Sequence, residues 1–159
     1  MTVRFAPHLW YAQNADEAAR FYVSVIPGSS VDRVTTLPAE TPSGPAGTVA
    51  VVEFTLAGAP VMAISAGPHH PFNDAISLVL TCDTQAEIDT LWDGLLQGGG
   101  TPVQCGWLKD RYGVSWQITP RCLGQMMADP DREKAARVTR AMLTMVKFDI
   151  AALEAARHS

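Results

Sequence analysis

The feature that most constrains the fold of this chain is an internal repeat with an offset of about 70 residues. Residues 14–28, NADEAARFYVSVIPG, predict an amphipathic helix with Asn14 as its N-cap and Glu17 as the reciprocal partner of that cap. Further along the chain, Thr84 and Glu87 stand in the same relation at the start of a second predicted helix. The matching buried stripes comprise Ala18, Phe21, Tyr22 and Val25 in one helix and Ile88, Leu91, Trp92 and Leu95 in the other. The repeat therefore predicts two copies of one structural module.

A predicted strand precedes each helix, and a further run and a predicted hairpin follow it. The strands are 5–12 and 75–82, and the hairpins are 48–65 and 105–120. We therefore expect an α+β fold with two β-α-β-β-β modules, residues 3–66 and 74–120, that form a curved mixed sheet. Each helix covers one face of the sheet, so the other face is expected to line a pocket. Residues 66–74 are interpreted as the linker between the modules.

The second hairpin, CGWLKDRYGVSWQITP, assigns side chains to the two faces of the sheet. Asp110 and Gly113 predict a four-residue turn, because Asp favours the first turn position and Gly supplies a positive φ at the last. That turn would place Trp107 opposite Trp116 on the helix-covered face. The pocket face would then carry Gly106, Leu108, Ser115 and Gln117. Residues 109–111 are interpreted as a solvated turn.

Residues 121–159 differ in composition from residues 1–120, because they carry an excess of basic rather than acidic side chains. Asp129 and Pro130 predict a helix start, with Asp as the cap and Pro at the first helical position. Asp149 is expected to cap a second, shorter helix. Both helices have an apolar stripe that must pack on something, so this helical tail belongs either to the same domain or to the clasp of a dimer.

Charge and composition argue against several classes of function. The net charge of −4 disfavours nucleic acid as a partner. No apolar run reaches the roughly 18–20 residues that span a bilayer, and the first ten residues lack the features of a signal peptide. Cys82, Cys105 and Cys122 are odd in number and far apart, which favours reduced thiols. We therefore expect a cytoplasmic protein with no nucleic-acid or membrane partner.

The chain resembles a known superfamily almost from end to end. It is similar to the PhnB-like branch of the vicinal-oxygen-chelate superfamily in the segments HLWY, EAARFY, NDAISLVL, CGWLKDRYGVSWQITP and DPDREKAARVTRAMLTMVKFDIAALEAA. That superfamily includes glyoxalase I, bleomycin-resistance proteins and extradiol dioxygenases. Members of the branch are often labelled 3-demethylubiquinone-9 3-methyltransferase-like. The sequence nevertheless lacks a Gly-rich strand-to-helix turn of the kind that holds S-adenosylmethionine.

The resemblance also implies four positions for a divalent metal, on the first and last strands of each module. On the last strands these positions fall four residues after the hairpin glycine, which gives Met62 and Gln117. On the first strands they are His8 and either Ser77 or Leu78. Thioether, hydroxyl and aliphatic side chains are poor ligands for a hard dication, so no tightly bound metal or other cofactor is expected. A weak divalent site through His8 and Gln117 remains an alternative.

The predicted ligand pocket combines apolar and polar side chains. Its residues are His8, Trp10, Met62, Asn73, Ser77, Leu108, Ser115 and Gln117. Such a mixture suits a small, partly apolar molecule that a few hydrogen bonds orient. Asn73 either contacts this ligand or closes an Asx turn. His69 and His70 are expected to lie on the surface of a loop.

Two classes of function are consistent with these residues. The missing metal ligands favour a small-molecule binding protein, as in the metal-free antibiotic-binding members of the superfamily. The alternative is a metal-dependent lyase, isomerase or oxygenase of the glyoxalase and dioxygenase type. If a reaction proceeds without a metal, His8 is the candidate catalytic base. A ubiquinone-pathway methyltransferase is the least favoured function, and the resemblance further implies a homodimer.

Overall fold

The structure, a computed structural model, describes residues 3–158 and contains in that range eight strands and five helices. In chain order these elements are β1 (His8–Tyr11), α1 (Ala15–Val25), β2 (Ser30–Thr36), β3 (Ala50–Leu56), β4 (Ala59–Ser65), β5 (Leu78–Cys82), α2 (Gln85–Leu96), β6 (Thr101–Pro102), β7 (Trp107–Lys109), β8 (Ser115–Pro120), α3 (Arg121–Met127), α4 (Arg132–Thr144) and α5 (Ile150–His158). The described chain divides into two compact units, residues 3–72 and 73–158. Each unit contains one β-α-β-β-β module, which confirms the predicted α+β fold class. Among the helices of the described range, none is long and apolar enough to cross a membrane.

In the first unit, four strands form a mixed sheet in the order β1-β4-β3-β2. β1 runs parallel to β4, and the other neighbouring strands are antiparallel. Alternate side chains point towards α1 and form the core, which includes Leu9, Tyr11, Val52, Phe54, Val61 and Ala63. The side chains between them point away from α1, to the first distal face, which comprises His8, Trp10, Val51, Glu53, Met62 and Ile64.

The start of α1 differs from the predicted capping box. Asn14 occupies the N-cap position, but its side chain makes no capping hydrogen bond. The hydroxyl of Ser65 instead accepts a 2.9 Å hydrogen bond from the N–H of Ala15 and donates one to the carbonyl of Gln13. The predicted role of Asn14 was therefore wrong, because a side chain at the end of β4 satisfies the first free N–H group of the helix.

The second unit repeats this arrangement with the sheet order β5-β8-β7-β6. β5 is parallel to β8, and β7 is antiparallel to both of its neighbours. α2 begins with the predicted capping box, in which the Thr84 hydroxyl accepts from the Glu87 N–H at 3.2 Å and the Glu87 carboxylate accepts from the Thr84 N–H at 3.0 Å. The side chains that point away from α2 form the second distal face, which comprises Val79, Thr81, Trp107, Lys109, Ser115, Gln117 and Thr119.

The tail belongs to the second unit and contains three helices, of which α3 was not expected. The cap of α4 is Asp131, whose carboxylate accepts hydrogen bonds of 3.1 and 3.2 Å from the N–H groups of Glu133 and Lys134. The predicted cap, Asp129, therefore lies too early in the chain. Its carboxylate accepts instead from the N–H of Asp131 and from the guanidinium of Arg157, both at 3.0 Å, and so ties α5 to the start of α4.

Residues 145–150 attach the tail to the β6–β7 connection. The N–H groups of Cys105 and Gly106 donate hydrogen bonds of 2.8 Å to the carbonyls of residues 145 and 146. Phe148 is buried beside Gly106, and a methyl group added to Gly106 would lie 2.3 Å from Cε2 of the Phe148 ring. Gly106 also has φ +77°, in the left-handed region. Two independent constraints therefore require glycine at this position.

The same segment is attached to the first turn of α2. The side-chain amide of Gln85 donates to the carbonyl of Phe148 at 3.0 Å and accepts from the N–H of Ile150 at 2.9 Å. Lys147 forms an ion pair of 2.7 Å with Asp89, one turn further along α2. Side-chain contacts thus hold the entry to α5 against α2.

Candidate functional site

The β7–β8 hairpin pairs in a different register from the one that a four-residue turn predicts. Trp107 lies opposite Gln117, Leu108 opposite Trp116, and Lys109 opposite Ser115. The turn contains one residue more than predicted, because the N–H of Asp110 bonds to the carbonyl of Val114 at 3.0 Å. Such a slip moves every side chain of one strand to the other face. The assignment of Leu108 to the pocket face was therefore wrong: it is fully buried in the core, and Trp107 lies on the second distal face instead.

Asp110 is a buried carboxylate, which corrects its interpretation as part of a solvated turn. The residue is only 4% exposed. Oδ1 accepts from the N–H groups of Tyr112 and Val114 at 2.8 and 3.0 Å, and Oδ2 accepts from Nε1 of Trp116 at 2.8 Å. These donors stabilise a charge whose burial would otherwise be costly. They also hold the longer turn, and with it the register that places Trp107 on the distal face.

Three of the predicted pocket residues come together on the second distal face or at its edge. Gln117 Nε2 donates a 2.8 Å hydrogen bond to Oγ of Ser77, just before β5. Ser115 Oγ donates at 2.8 Å to Oδ1 of Asp74, which also accepts from Nζ of Lys109 at 2.9 Å. Two residues of β8, Ser115 and Gln117, are thus hydrogen-bonded to the segment that enters β5, which contains Ser77. Lys109 and Asp74 were not among the predicted site residues.

Local polar contacts also shape the segment that enters β5. The hydrogen bonds from Lys109 and Ser115 hold the pKa of Asp74 below its usual value, so that its carboxylate is ionised at neutral pH. Oδ1 of Asn73 accepts from the N–H of Ala75 at 2.9 Å and closes an Asx turn, one of the two alternatives for this residue. A ligand contact by Asn73 stays a prediction.

On the first distal face, one row of side chains crosses the sheet. His8 is exposed at the start of β1 and lies opposite Met62, which in turn lies opposite Glu53 of β3. The Glu53 carboxylate is hydrogen-bonded to the guanidinium of Arg33 on β2. Glu53 was not among the predicted pocket residues. Its position between two apolar residues of a predicted strand was the available signal that it points away from the core.

Trp10 is partly buried on the first distal face and has two partners in the loop after β4. Its indole N–H donates a 2.8 Å hydrogen bond to the carbonyl of Gly67. The ring of His70 packs edge-on against the indole, with the ring centroids 4.8 Å apart. His69 and His70 are both exposed, but His70 has this specific aromatic contact in addition.

The strand register identifies the four positions at which metal-dependent relatives are expected to carry ligands. In the first module His8 lies opposite Met62, and in the second Val79 lies opposite Gln117. Val79 therefore corresponds to His8, and the predicted matches of His8 with Ser77 or Leu78 were wrong, because the first strands of the modules repeat at a slightly larger offset than the helix caps. Within residues 3–158, no three His, Cys, Asp or Glu side chains are grouped so that they could hold a metal ion.

A family comparison covers both modules. The family model described as 3-demethylubiquinone-9 3-methyltransferase matches residues 3–119. The chain belongs to this family. The resemblance to its PhnB-like branch is thereby confirmed. The match of this PhnB-like chain ends within β8, so that α3, α4 and α5 lie outside it.

Solved structures have the same architecture as this PhnB-like chain. The PhnB protein from Bacillus cereus, which is named after the same methyltransferase, is 31% identical with a TM-score of 0.64, and the alignment covers 74% of this chain and 99% of that one. A Pseudomonas aeruginosa protein is 21% identical with a TM-score of 0.57, and the alignment covers 75% and 98% of the two chains. A Staphylococcus aureus protein is 18% identical with a TM-score of 0.50, over 74% and 93%. The last two similarities show the fold alone. In a search of curated proteins, none matches the chain.

Proposed function

We propose that this PhnB-like chain binds a small, partly apolar organic molecule on the distal faces of its sheets, without a tightly bound divalent metal. Support comes from the mixture of side chains on these faces. The apolar members are Trp10, Met62 and Ile64 on the first face and Val79 and Trp107 on the second. His8 and Gln117 add groups that can form directed hydrogen bonds to a ligand. Binding sites for small organic molecules combine these two kinds of side chain.

The observation that carries the proposal is the chemistry of the four positions where metal-dependent relatives hold their ion. The side chains there are an imidazole, a thioether, an isopropyl group and an amide, from His8, Met62, Val79 and Gln117. A catalytic metal centre needs about three good protein ligands, and hard dications prefer carboxylate oxygen. Neither the pair on the first face nor the pair on the second face supplies ligands that fit a divalent metal, and no step of the proposed function uses one.

One observation favours the alternative, a metal-dependent lyase, isomerase or oxygenase. Glu53 is a carboxylate on the first distal face, and only Met62 separates it from His8 across the sheet. Arg33 already compensates its charge through their hydrogen bond. A metal at this place would have to compete with that guanidinium. His8 itself is exposed and can also act as the base of a metal-independent reaction.

The methyltransferase activity in the family description ranks below both functions. A nucleotide-like cofactor such as S-adenosylmethionine is commonly held where a strand passes into a helix through a Gly-rich turn. Here the turn from β1 to α1 consists of residues 12–14, Ala-Gln-Asn, and the turn from β5 to α2 consists of residues 83–84, Asp-Thr. Neither turn contains the glycine that would let the backbone approach the cofactor.

A thermal-shift screen tests the proposal, because a ligand that binds only the native state raises the melting temperature. The screen compares divalent metals with small organic molecules, each on protein whose metal content has been measured. The variant Gln117→Leu removes the polar group of the second distal face while keeping a side chain of similar size. Gln125→Leu is the matched control, since Gln125 is exposed on α3.

The proposal predicts shifts with organic molecules that Gln117→Leu reduces and Gln125→Leu leaves unchanged. It also predicts no near-stoichiometric metal in protein purified without chelator. Two results together would overturn the proposal in favour of the metal-dependent enzyme. One is a large shift of the melting temperature with a metal alone that is lost in His8→Ala, and the other is turnover of a catechol or of an α-ketoaldehyde adduct. An absence of any organic ligand from a broad screen would also count against it.

A further inference from the structure

The second distal face already holds a carboxylate that comes from the chain itself. Oδ1 of Asp74 accepts two hydrogen bonds, one of 2.8 Å from Ser115 Oγ and one of 2.9 Å from Lys109 Nζ. Ser115 is only 2% exposed, whereas the side chain of Asp74 is 62% exposed. A nearly buried hydroxyl and a lysine thus form a cradle for a carboxylate, and an exposed side chain from the segment before β5 occupies it.

The cradle lies at one end of a mixed surface. Lys109 and Ser115 are direct neighbours across the β7–β8 ladder, and the next pair on the same face is Trp107 and Gln117. Two residues along a strand span about 7 Å, so the indole and the amide lie about that far from the cradle. A small ring fits into this distance. Val79, which is 55% exposed, is the neighbour of Gln117 on the other side. A carboxylate group at the cradle would therefore leave the rest of a small molecule over apolar side chains.

The ion pair between Asp74 and Lys109 of the cradle is open to solvent. Both partners of the ion pair are exposed, with 42% of the Lys109 side chain and 62% of the Asp74 side chain accessible. Exposed pairs of this kind contribute little to stability because water solvates both charges. A ligand carboxylate would make the same two hydrogen bonds, and it would add apolar contacts that Asp74 cannot make.

We propose that the second distal face binds a small, partly apolar carboxylate, with its carboxylate held by Lys109 and Ser115 in the place that Asp74 occupies without ligand. This inference rests on the proposed function and names the class of ligand for one of its two faces. Asp74 acts as an internal competitor, and its removal exposes the cradle. The charge of Lys109 selects an anionic ligand over a neutral one of the same shape.

Benzoate and benzamide test this inference, since they share a ring and differ in the charge of the group that would enter the cradle. Titration calorimetry at neutral pH compares both compounds on the full chain and on the variants Lys109→Gln and Asp74→Ala. Lys134→Gln and Asp83→Ala are the matched controls, because each removes one member of another exposed ion pair in the same unit. Melting curves establish that every variant is folded.

We expect the full chain to bind benzoate more tightly than benzamide. Asp74→Ala should tighten benzoate binding about twofold to fivefold, the range that corresponds to the loss of one exposed competing pair. Lys109→Gln should weaken it by a similar factor, and neither control should change it. An unchanged benzoate affinity in Asp74→Ala, or equal binding of the two compounds, would overturn the inference. Binding of benzamide alone would overturn it while leaving the proposed function intact, and binding of neither compound by any variant would also refute it.

Discussion

Nε1 of Trp116 donates a 2.8 Å hydrogen bond to Oδ2 of Asp110 across the β7–β8 hairpin. Both residues are buried, so the indole and the carboxylate satisfy each other inside the protein. The bond connects the turn to the central strand of the second sheet. It thereby fixes the register that places Trp107 opposite Gln117.

The first prediction concerns this carboxylate. Asp110→Ala leaves the indole N–H of Trp116 and two backbone N–H groups without their acceptor in a buried environment. We expect the free energy of unfolding to fall by about 2–4 kcal/mol. Urea denaturation measures this change, with Asp93→Ala as the control because Asp93 is exposed on α2. Equal losses in the two variants would show that the buried carboxylate does not organise the hairpin.

The second prediction separates two constraints on one glycine. Gly106 and Gly113 both have positive φ, +77° and +87°, but a methyl group meets Phe148 at Gly106 and nothing within 4 Å at Gly113. Gly113→Ala should cost about 1–2 kcal/mol for its backbone conformation alone. Gly106→Ala should cost at least about 2 kcal/mol more, because the ring of Phe148 must move. Similar melting temperatures for the two variants would contradict the packing of the tail against the β6–β7 connection.

The third prediction compares the two helix caps. Thr84→Ala removes a hydroxyl that accepts from the N–H of Glu87, and it should destabilise the protein by about 1 kcal/mol. Asn14→Ala should lower the free energy of unfolding by only roughly a few tenths of a kcal/mol, since the Asn14 side chain makes no capping bond. Chemical denaturation of both variants tests the difference. A larger loss for Asn14→Ala than for Thr84→Ala would show that the first helix does depend on its asparagine.

The fourth prediction concerns thiol reactivity. Burial raises the pKa of Cys82 to about 11, and Glu87 and Asp83 add to this shift. Burial also raises the pKa of Cys122. At pH 8 a thiol with a pKa near 11 is only about one part in a thousand thiolate, so a disulfide reagent should modify Cys105 first, Cys122 more slowly and Cys82 only after unfolding. Peptide mapping by mass spectrometry gives the order, and early modification of Cys82 in folded protein would contradict it.

The fifth prediction is the homodimer that the resemblance implies. Val138 and Leu153 of the tail are buried within the chain, so a dimer clasp made by the tail would have to use other side chains. Among the described residues of the tail, Leu143 and Val146 are the large apolar side chains that are exposed, at 56% and 46%. Sedimentation equilibrium at tens of micromolar should show a dimer, and a monomer would contradict the prediction. Dissociation by Leu143→Glu, but not by Thr90→Glu on α2, would assign the clasp to the tail.

The repeat made the fold predictable, because the two buried helix stripes and the strands beside them recur in the sequence. The details that failed depend on contacts between distant residues. Ser65 replaces Asn14 at the start of α1 although it lies at the end of another strand. Turn preferences of single residues could not reveal that Asp110 would be buried, because its acceptor role depends on an indole six residues away. The resulting longer turn placed Leu108 in the core and Trp107 on the second distal face.

The sheet faces on which single side chains lie could be predicted in part. Alternation along a strand places His8 and Gln117 on distal faces without any knowledge of their neighbours. The partners of these faces lie elsewhere in the sequence, as Arg33 does for Glu53 and Asp74 does for Lys109. Periodicity alone therefore could not predict the contacts that shape the two faces.

The attachment of Phe148 to Gly106 bears on how the protein can be divided. The family match ends within β8, yet the N–H groups of Cys105 and Gly106 are bonded to carbonyls that lie well beyond that end. A fragment cut at the family boundary would lose those partners and would leave a cleft where the aromatic ring had been. The segment that the family model covers is thus shorter than the segment whose backbone and side chains surround Gly106.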